Sequence, residues 1–441
     1  MDWRDYFKGK KITLMGLGVL GRGVGDALFL SECGAEVIVT DTKTEAELES
    51  SVKQLKEKKN ITLHLGGHRV EDFIGRDLII KGANVPLDSV FITEAKKNNI
   101  PVSMSTALFA RFAGIPIIGV TGTRGKSTVT HIIHHVLTGV GKKPLLGGNV
   151  RGVSTLRLLS DISQYDCAVL ELDSWQLQGF HEEKISPHIA VFTSFMPDHM
   201  NYYQNDMQTY LHDKSAIFAY QSSSDTLVIS PQVATFLTGT YEDAKQRAVV
   251  AKKEDVLNIP VKLIGDHNKQ NVACALSSLL AFGIEKENAL KHIQTFAGVP
   301  GRLEVMGEVS GVLVINDNNS TTPDAVIAGL KAIQNSSVTL IIGGTDKGLS
   351  LDKLFDEIQN KVSKLTLLSG TGTERLKVGI SIPYSEYKTL SECIAEAFRQ
   401  TEKGGAILFS PGFASFSHEF KNEYERNDVF VSEVEAIKKA V

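Results

Sequence analysis

The stretch Gly119–Leu137, GVTGTRGKSTVTHIIHHVL, is the part of the sequence that decides the fold. It follows the apolar run IPII and leads into a pattern typical of a helix. The common Walker loop requires G-x-x-x-x-G-K-[ST], but Val120 stands five residues before Gly125, so that pattern is absent. The glycines and the Lys-Ser pair that act on phosphate are present. We therefore predict a nucleotide-phosphate loop at residues 121–128, between a strand and a helix.

The alternative for this stretch is a glycine-rich turn with an exposed lysine. His131 and His135 lie four residues apart on the predicted helix, but no Glu stands where a zinc-protease motif needs it. We expect these histidines to serve the helix surface or its packing.

Short apolar runs alternate with helical patterns on both sides of this loop, which predicts an α/β protein with parallel sheets wrapped by helices. Examples are KITLMGLG, EVIVTD, CAVLELD, VTLIIGG and GAILFSPG. In such sheets ligands bind at the carboxyl ends of the strands, where most of the polar motifs stand. Breaks near FARFAGIP and FAGVPGRLEVMGEV predict three domains, with limits at residues 1–112, 113–300 and 301–441.

The composition excludes several classes of protein. The 441 residues are 42% hydrophobic and 22% charged with a net charge of -4, which favours a globular protein and no nucleic-acid binding. No apolar run approaches the roughly 18 residues of a membrane helix, and MDWRDYFKGKK does not resemble a signal peptide. The four cysteines are far apart and form no CxxC. We expect a reduced cytoplasmic protein, without membrane insertion or a cysteine-based metal site.

A second glycine-rich turn stands near the N-terminus, in LMGLGVLGRGVGDALFLSECGAEVIVTD. A predicted strand ends at Gly16, a helix follows the turn, and the next strand ends at Asp41. Backbone N–H groups and a helix N-terminus in such a turn can bind a phosphate, and the acidic residue can bind a sugar or base. The alternative is that the glycines only permit close packing of helix and strand.

Carboxylates end the strand in AVLELDSWQL, at Glu171 and Asp173. Residues two apart on an extended chain point the same way, so we expect both at one site. FTSFMPDHM adds Asp198 and His199 at the next strand end. Together with the phosphate loop these side chains predict a magnesium-phosphate site. Lys214, fifteen residues after His199, would by itself be interpreted as a solvated helix lysine.

The order of these motifs resembles the Mur ligase superfamily. The loop T-G-T-x-G-K-[ST], Glu171, the Asp-His pair and Lys214 carry the resemblance in the central part of the chain. It continues through GDHNKQNVACAL, GRLE, INDNNSTTPDA, IIGGTDKG and SPGFASFSHEFKNEYERND. The resemblance implies a Rossmann-like N-terminal domain, a central P-loop ATPase-like domain and a Rossmann-like C-terminal domain.

The activity implied by the resemblance is an ATP-dependent, ADP-forming amide ligase of peptidoglycan precursor synthesis. The N-terminal turn and the Asn-Asp pair of the third domain point to members that add glutamate to UDP-N-acetylmuramoyl-L-alanine. Among the stereoisomers, D-glutamate is the preferred expectation. The reaction would pass through an acyl phosphate and a tetrahedral intermediate. The implied partners are UDP-N-acetylmuramoyl-L-alanine, glutamate and ATP, and we expect a monomer.

The resemblance also implies a role for each site residue. The residues expected to bind ATP are Gly122, Thr123, Arg124, Gly125, Lys126, Ser127, Thr128, Asn268, Asn271 and Arg302. The ligands expected for two Mg²⁺ ions are Ser127, Glu171, His199 and Lys214, the last as a carbamylated lysine. The catalytic residues are Lys126, His199, Lys214 and Asp317. The UDP part of the substrate is assigned to Gly18, Leu20, Gly21, Asp41, Thr42 and Asn149. The incoming amino acid is assigned to Thr321, Lys347, Ser415 and Phe420.

The sequence departs from the family pattern on the two substrate sides. Leu20 stands where Ser or Thr often faces the UDP phosphates, and KGANVP at residues 81–86 replaces a Ser-Pro-Gly turn, where Lys81 could act as a phosphate partner. Asn319 stands where the family motif has a lysine for the amino-acid carboxylate, and Asn427 where Gly is common. The added amino acid therefore stays open between D-glutamate, L-glutamate and another residue.

Three other functions are compatible with parts of the sequence. A folate-type polyglutamate ligase normally begins at the phosphate-loop domain, so the N-terminal domain argues against it. A nicotinamide-dependent dehydrogenase is suggested by GLGVLG but leaves the loop at residues 121–128 unexplained. A non-catalytic, ATP-binding regulatory relative would have no use for the predicted set of metal ligands.

Overall fold

Three β-sheets organise the protein, as the sequence predicts for the α/β class. The computed structural model describes residues 2–19, 21–83, 85–150, 152–335, 337–415 and 419–440. The chain forms two compact units, Met1–Leu257 with Gln270–Ile293 and Asn258–Lys269 with Gln294–Val441. The three-domain limits given above remain a prediction. Across the described ranges, no helix combines the length and apolar character needed to cross a membrane.

The first sheet contains five parallel strands in the order β3-β2-β1-β4-β5. The strands are β1 (Lys11–Met15), β2 (Glu36–Asp41), β3 (Ile61–Leu65), β4 (Leu78–Lys81) and β5 (Val102–Ser103). The helices are α1 (Trp3–Phe7), α2 (Arg22–Glu32), α3 (Glu49–Leu55), α4 (Val90–Lys97) and α5 (Ser105–Phe112). The strand order reverses at β1, where open α/β sheets have their ligand crevice. The glycine turn after β1 lies at this point.

The second sheet contains six parallel strands in the order β11-β10-β9-β6-β8-β7. The strands are β6 (Ile117–Thr121), β7 (Pro144–Gly148), β8 (Cys167–Glu171), β9 (Ile189–Phe192), β10 (Thr226–Ile229) and β11 (Val249–Val250). The helices are α6 (Lys126–Gly139), α7 (Ser174–Glu183), α8 (Met207–Ser215), α9 (Pro231–Ala234), α10 (Glu242–Arg247), α11 (Asp266–Ala281) and α12 (Lys286–Ile293). Strands β8, β6 and β9 are adjacent, so the motifs that follow them meet at one edge.

One hydrophobic cluster extends across the first two sheets. It includes Phe29 and Phe109 on helices beside the first sheet, Phe180 on α7 and Phe192 in β9 of the second sheet. Helix α7 approaches closely, because a Cβ added at Gly179 would lie 2.8 Å from Met104 Cβ. The apolar strand runs therefore form one continuous core in the first unit, and this core fixes the polar strand ends.

The third sheet contains six strands in the order β12-β13-β17-β14-β15-β16, and only the β12–β13 pair is antiparallel. The strands are β12 (Glu304–Val309), β13 (Val312–Asn316), β14 (Val338–Gly343), β15 (Lys364–Leu368), β16 (Tyr384–Tyr387) and β17 (Ala406–Phe409). The helices are α13 (Pro323–Ala332), α14 (Asp352–Lys361), α15 (Thr371–Gly379), α16 (Leu390–Gln400) and α17 (Glu423–Ala440). Asp317 directly follows β13, and its backbone N–H donates to the carbonyl of Phe409, the last residue of the adjacent strand β17, at 2.8 Å.

Arg426 on α17 holds the segment that follows β13. Its Nε donates to Asn318 Oδ1 and its Nη2 to the Asn318 carbonyl oxygen, both at 2.8 Å. The Arg426 side chain is 1% exposed, and burial lowers its pKa to about 10. Asn318 is also buried and lies between Asp317 and Asn319. Arg426 therefore fixes the strand end where site residues are predicted.

We expect Arg426→Met to lower the free energy of unfolding by about 2 kcal/mol or more, because two buried oxygen atoms of Asn318 lose their donors. Chemical denaturation of the full chain measures this change. The control is Arg399→Met, which removes an exposed arginine that pairs with Glu396 on α16 and should change stability little. Equal effects of the two substitutions would contradict the role assigned to Arg426.

Candidate active site

The predicted phosphate loop lies between the end of β6 and the start of α6. Gly125 is the N-cap of α6 with a φ of 86°, and Gly122 has a φ of 151°. A Cβ at Gly122 would overlap the Thr193 hydroxyl, and one at Gly125 would overlap the Asn271 side chain. Both positions therefore require glycine, for backbone conformation and for space. The predicted ATP residues Gly125 and Asn271 are thereby brought together.

The end of β9 closes this loop from the other side. The backbone N–H of Thr123 donates to the Ser194 carbonyl and that of Arg124 to Ser194 Oγ, both at 2.8 Å. Thr193 Oγ1 donates to the Arg124 carbonyl at 2.6 Å. Thr193 and Ser194 were not among the predicted site residues, although their place at the end of a predicted strand is a usable signal.

Two lysine side chains converge on one carbonyl oxygen of the loop. Lys126 Nζ donates to the Gly122 oxygen at 2.8 Å and to the Thr123 oxygen at 3.2 Å. Lys214 Nζ donates to the same Gly122 oxygen at 3.1 Å and to Thr121 Oγ1 at 3.4 Å. Lys126 is also the first residue of α6, whose N-terminus favours anions. Lys126 and this helix end therefore place positive charge where a phosphate is predicted.

Lys214 differs from an ordinary helix lysine because it is 1% exposed. Burial, together with the charge of Lys126, holds the pKa of the Lys214 ammonium well below its usual value. The two atoms that accept its hydrogen bonds, from Gly122 and Thr121, are uncharged oxygens. The sequence interpretation of Lys214 as a solvated lysine is wrong, whereas its predicted place beside the phosphate loop agrees with these contacts.

Glu171 ends β8 and pairs in register with Val120 of β6, so its strand end is adjacent to the phosphate loop. Its side chain is buried. Strand β8 ends at Glu171, and Asp173, still extended in backbone, is the N-cap of α7, where its carboxylate accepts from the Gln176 N–H at 2.7 Å. The two carboxylates therefore have different local roles.

His199 lies in a turn after β9 with a φ of 55°, and its side chain is 40% exposed. Its ring centroid is 4.5 Å from that of Trp175, the second residue of α7. Burial lowers the pKa of His199, against the opposing charge of Asp198. This shift favours the neutral imidazole, which has a nitrogen lone pair that a metal can use.

The predicted metal ligands contain one carboxylate, one imidazole and one hydroxyl besides Lys214. Within the described residues, no three His, Cys, Asp or Glu side chains converge as a metal cluster. Mg²⁺ needs no such cluster, because it usually binds one or two carboxylates and keeps waters or substrate phosphate oxygens. The buried Ser127 and Glu171 supply the hard oxygen donors that Mg²⁺ prefers. These residues fit a magnesium ion that is shared with a phosphate.

The N-terminal glycine turn binds a carboxylate of the protein itself. Asp41 Oδ2 accepts from the N–H groups of Leu17 at 2.8 Å and Gly18 at 3.0 Å. Its Oδ1 accepts from the Lys43 N–H at 2.9 Å. The structure brings Asp41 to the predicted turn and gives it a supporting role there.

The remaining predicted UDP residues differ in their surroundings. Gly18 and Gly21 have positive φ angles of 65° and 82°, and Gly21 is the N-cap of α2. Thr42 is exposed. Asn149 follows β7, and its N–H donates to the Glu171 carbonyl at 2.7 Å, which places it beside the phosphate-loop edge. Leu20 lies outside the described residues.

Asp317 is the central side chain of the predicted site in the second unit. It accepts from the Leu303 N–H at 3.1 Å and from Ser410 Oγ at 2.9 Å. Burial raises its pKa to about 7, against the opposing effects of these hydrogen bonds and of Arg302. Arg302 is exposed in the turn beside it. Asp317 thus fixes the turn that carries Arg302.

The predicted amino-acid residues fall into two groups. Lys347 Nζ donates to Thr321 Oγ1 at 3.0 Å, so these two are brought together. Ser415 is buried, and Phe420 belongs to a hydrophobic cluster of the third sheet. Asn319, where the resemblance implies a lysine, accepts from Asn318 Nδ2 at 3.1 Å.

The predicted adenine residue Asn268 has a local contact. Its Nδ2 donates to the Ile264 carbonyl oxygen at 2.7 Å, four residues earlier in the chain. Its side chain is buried. This contact steadies the start of α11.

Solved structures with this fold include ligases. The UDP-N-acetylmuramate–alanine ligase of Thermotoga maritima aligns with a TM-score of 0.59 at 17% identity, over 97% of this chain and 99% of that chain. The MurF ligase of Thermotoga maritima, solved in complex with ADP, aligns with a TM-score of 0.60 at 14% identity, over 92% of this chain and 96% of that chain. At these identities the likeness concerns the fold, and it confirms the predicted fold class.

Sequence comparisons define the family. The model of the Mur ligase middle domain matches residues 120–250, and that of the Mur ligase glutamate ligase domain matches residues 301–413. The UDP-N-acetylmuramoylalanine–D-glutamate ligase of Roseiflexus sp. (strain RS-1) is 32% identical, over 97% of this chain and 99% of the relative. The enzyme of the same name from Geotalea uraniireducens (strain Rf4) is 33% identical, over 97% of this chain and 98% of the relative. The chain therefore belongs to the Mur ligase family.

Proposed function

We propose that the protein is an ATP-dependent, ADP-forming ligase that joins D-glutamate to UDP-N-acetylmuramoyl-L-alanine, a step of peptidoglycan precursor synthesis. The observation that carries the proposal is the pair of lysines on the Gly122 carbonyl, at the N-terminus of α6 and beside Glu171. Near-full-length similarity to D-glutamate ligases supports the choice of substrates.

The reaction begins when the substrate carboxylate oxygen attacks the γ-phosphorus of ATP. The bond to the bridging oxygen breaks, ADP leaves, and an acyl phosphate forms. The amine of glutamate then attacks the acyl carbon and loses a proton, and phosphate departs from the tetrahedral intermediate. Negative charge grows on phosphoryl oxygens and then on the oxyanion. Lys126 and the α6 N-terminus are placed to stabilise that charge.

Metal binding is assigned to Ser127, Glu171, His199 and Lys214, for two Mg²⁺ ions. Magnesium, when bound, neutralises phosphoryl oxygens as a Lewis acid. Lys214 would take part as a carbamate, formed when its neutral amine attacks CO₂ and releases a proton. A buried amine that contacts uncharged oxygens is suited to this reaction.

The proposal is tested by phosphate release from ATP with Mg²⁺ and UDP-N-acetylmuramoyl-L-alanine, in parallel with D-glutamate, L-glutamate and no amino acid. We expect release that needs D-glutamate and stops when a chelator removes Mg²⁺. Release with L-glutamate or another amino acid would support the same mechanism with a different amino-acid substrate. Asn319 is the reason to test these alternatives, since the resemblance implies a lysine at this position. ATP binding without phosphate release in any of these mixtures would contradict the proposed ligase activity and favour a regulatory relative.

We expect Lys126→Ala to lower kcat by about 100-fold or more, because one strong electrostatic contact to the transition state is lost. The variant should remain folded, since Lys126 is half-buried and the two carbonyl oxygens that accept from it lie in its own loop. Circular dichroism and thermal unfolding provide the control. A folded Lys126→Ala protein with wild-type kcat would contradict the assignment of this loop to the active site.

We expect Lys214→Ala to be inactive and to regain part of its activity when short-chain carboxylic acids are added. A small carboxylate can enter the space left by the side chain and replace the carbamate oxygens. The measurement is phosphate release across a series from formate to butyrate, with wild-type protein as the control for inhibition. Full activity of Lys214→Ala without added acid would contradict its role, and an inactive variant that no acid rescues would argue against the carbamate.

A further inference from the structure

Helix α2 holds the loop after β7 at two points. At the first, the Arg22 guanidinium donates from Nη1 and Nη2 to Asn149 Oδ1, both at 3.1 Å, and from Nε and Nη2 to the Val150 carbonyl at 3.2 and 2.8 Å. At the second, Asp26 accepts from Ser154 Oγ at 2.6 Å. Arg22 and Asp26 are one helical turn apart, so one face of α2 fixes both ends of this loop.

The contacts of Arg22 determine the orientation of the Asn149 amide. A guanidinium has only donors, so the amide atom that faces it must be the oxygen. The NH₂ group of Asn149 therefore points away from the guanidinium and has two hydrogens to donate. Without Arg22 the amide could rotate and place either atom on that side.

Arg22 also connects two parts of the predicted substrate site. It is the first residue of α2 and directly follows Gly21, in the glycine turn assigned to the UDP part. Asn149, which it orients, donates its own N–H to the carbonyl of Glu171. The arginine is half-buried and makes these contacts within the first unit. One side chain therefore links the glycine turn to the edge of the sheet where the chemistry is placed.

We propose that Arg22 is a positioning residue of the substrate site, which orients the Asn149 amide so that its NH₂ group donates to oxygen atoms of the nucleotide-sugar substrate. This inference rests on the proposed function for the identity of that substrate. It assigns to Arg22 an effect on substrate binding through Asn149, rather than a direct part in phosphoryl transfer.

The first test is the steady-state kinetics of Arg22→Met. We expect KM for UDP-N-acetylmuramoyl-L-alanine to rise about 10-fold or more, because a misoriented amide loses its hydrogen bond to the substrate. KM for ATP and kcat at saturation should change little. Arg22→Lys should lose nearly as much, since an ammonium keeps the charge but cannot form the same forked contact. Folding should survive, because Asp26 still binds Ser154 and Ser105.

The matched control is Arg157→Met. Arg157 follows the same loop, in the 3₁₀ helix Leu156–Gln164, and its Nη2 also reaches α2, at 3.5 Å from Glu32. It therefore joins the same two segments at the surface. We expect wild-type KM for Arg157→Met. An equal rise of KM in both arginine variants would mean that general attachment of the loop matters, and it would overturn the positioning role.

A double-mutant cycle with Asn149 decides whether Arg22 acts through it. If it does, Arg22→Met combined with Asn149→Ala should raise KM no further than Asn149→Ala alone. Asn149→Asp, which can keep the contact with Arg22 but replaces the NH₂ group by an acceptor oxygen, should raise KM as well. Additive effects in the cycle, or wild-type KM for Asn149→Asp, would overturn the inference.

The proposed function and this inference fail in different ways. Calorimetric titration of wild-type protein with UDP-N-acetylmuramoyl-L-alanine separates them. A wild-type protein that does not bind this compound would overturn the proposed function and the inference together. Normal wild-type binding with unchanged affinity in Arg22→Met would overturn the inference alone.

Discussion

The carbonyl oxygen of Gly122 accepts hydrogen bonds from two lysine side chains, and the candidate active site depends on this contact. Two ammonium groups at one oxygen repel each other, and burial of Lys214 increases the cost of its charge. An anion at the α6 N-terminus would offset the repulsion, and a neutral Lys214 would remove it. Both outcomes suit the proposed reaction, which needs a bound phosphate and a reactive amine.

Parallel pairing of β8, β6 and β9 creates the place where this contact forms. Because parallel strands end at a common edge, Glu171, the phosphate loop and the Thr193–Ser194 segment become neighbours although long stretches of chain separate them. The glycines at 122 and 125 allow the close approach, since a side chain at either would overlap an atom from another segment. Chemistry at this edge therefore depends on apolar strands whose side chains take no part in it.

The sequence predicts those features whose signals are local. The phosphate loop, the turn before α2 and the polar strand ends follow from short patterns of glycine, apolar and charged residues. Asp173 differs because its backbone is extended as expected, but its carboxylate caps the N-terminus of α7. The contacts of Arg22 with Asn149 and of Arg426 with Asn318 join residues more than 100 positions apart. No local pattern marks such pairs, because they exist only after the strands have been ordered.

In the second unit, Asn319, where the resemblance implies a lysine, is part of a series of hydrogen-bonded amides. Arg426 fixes Asn318, Asn318 donates to Asn319 Oδ1, and the Asn319 N–H donates to the Gly301 carbonyl at 2.9 Å. This series of amides holds the turn before Arg302, but a neutral amide cannot pair with a carboxylate as a lysine does. Under the proposed function, charge recognition of the incoming amino acid would then fall on Lys347, which already contacts Thr321. Under the same proposal, Asn319 bears on selectivity for the amino acid, while the glycines, Lys126 and Ser127 of the loop in the first unit serve phosphoryl transfer.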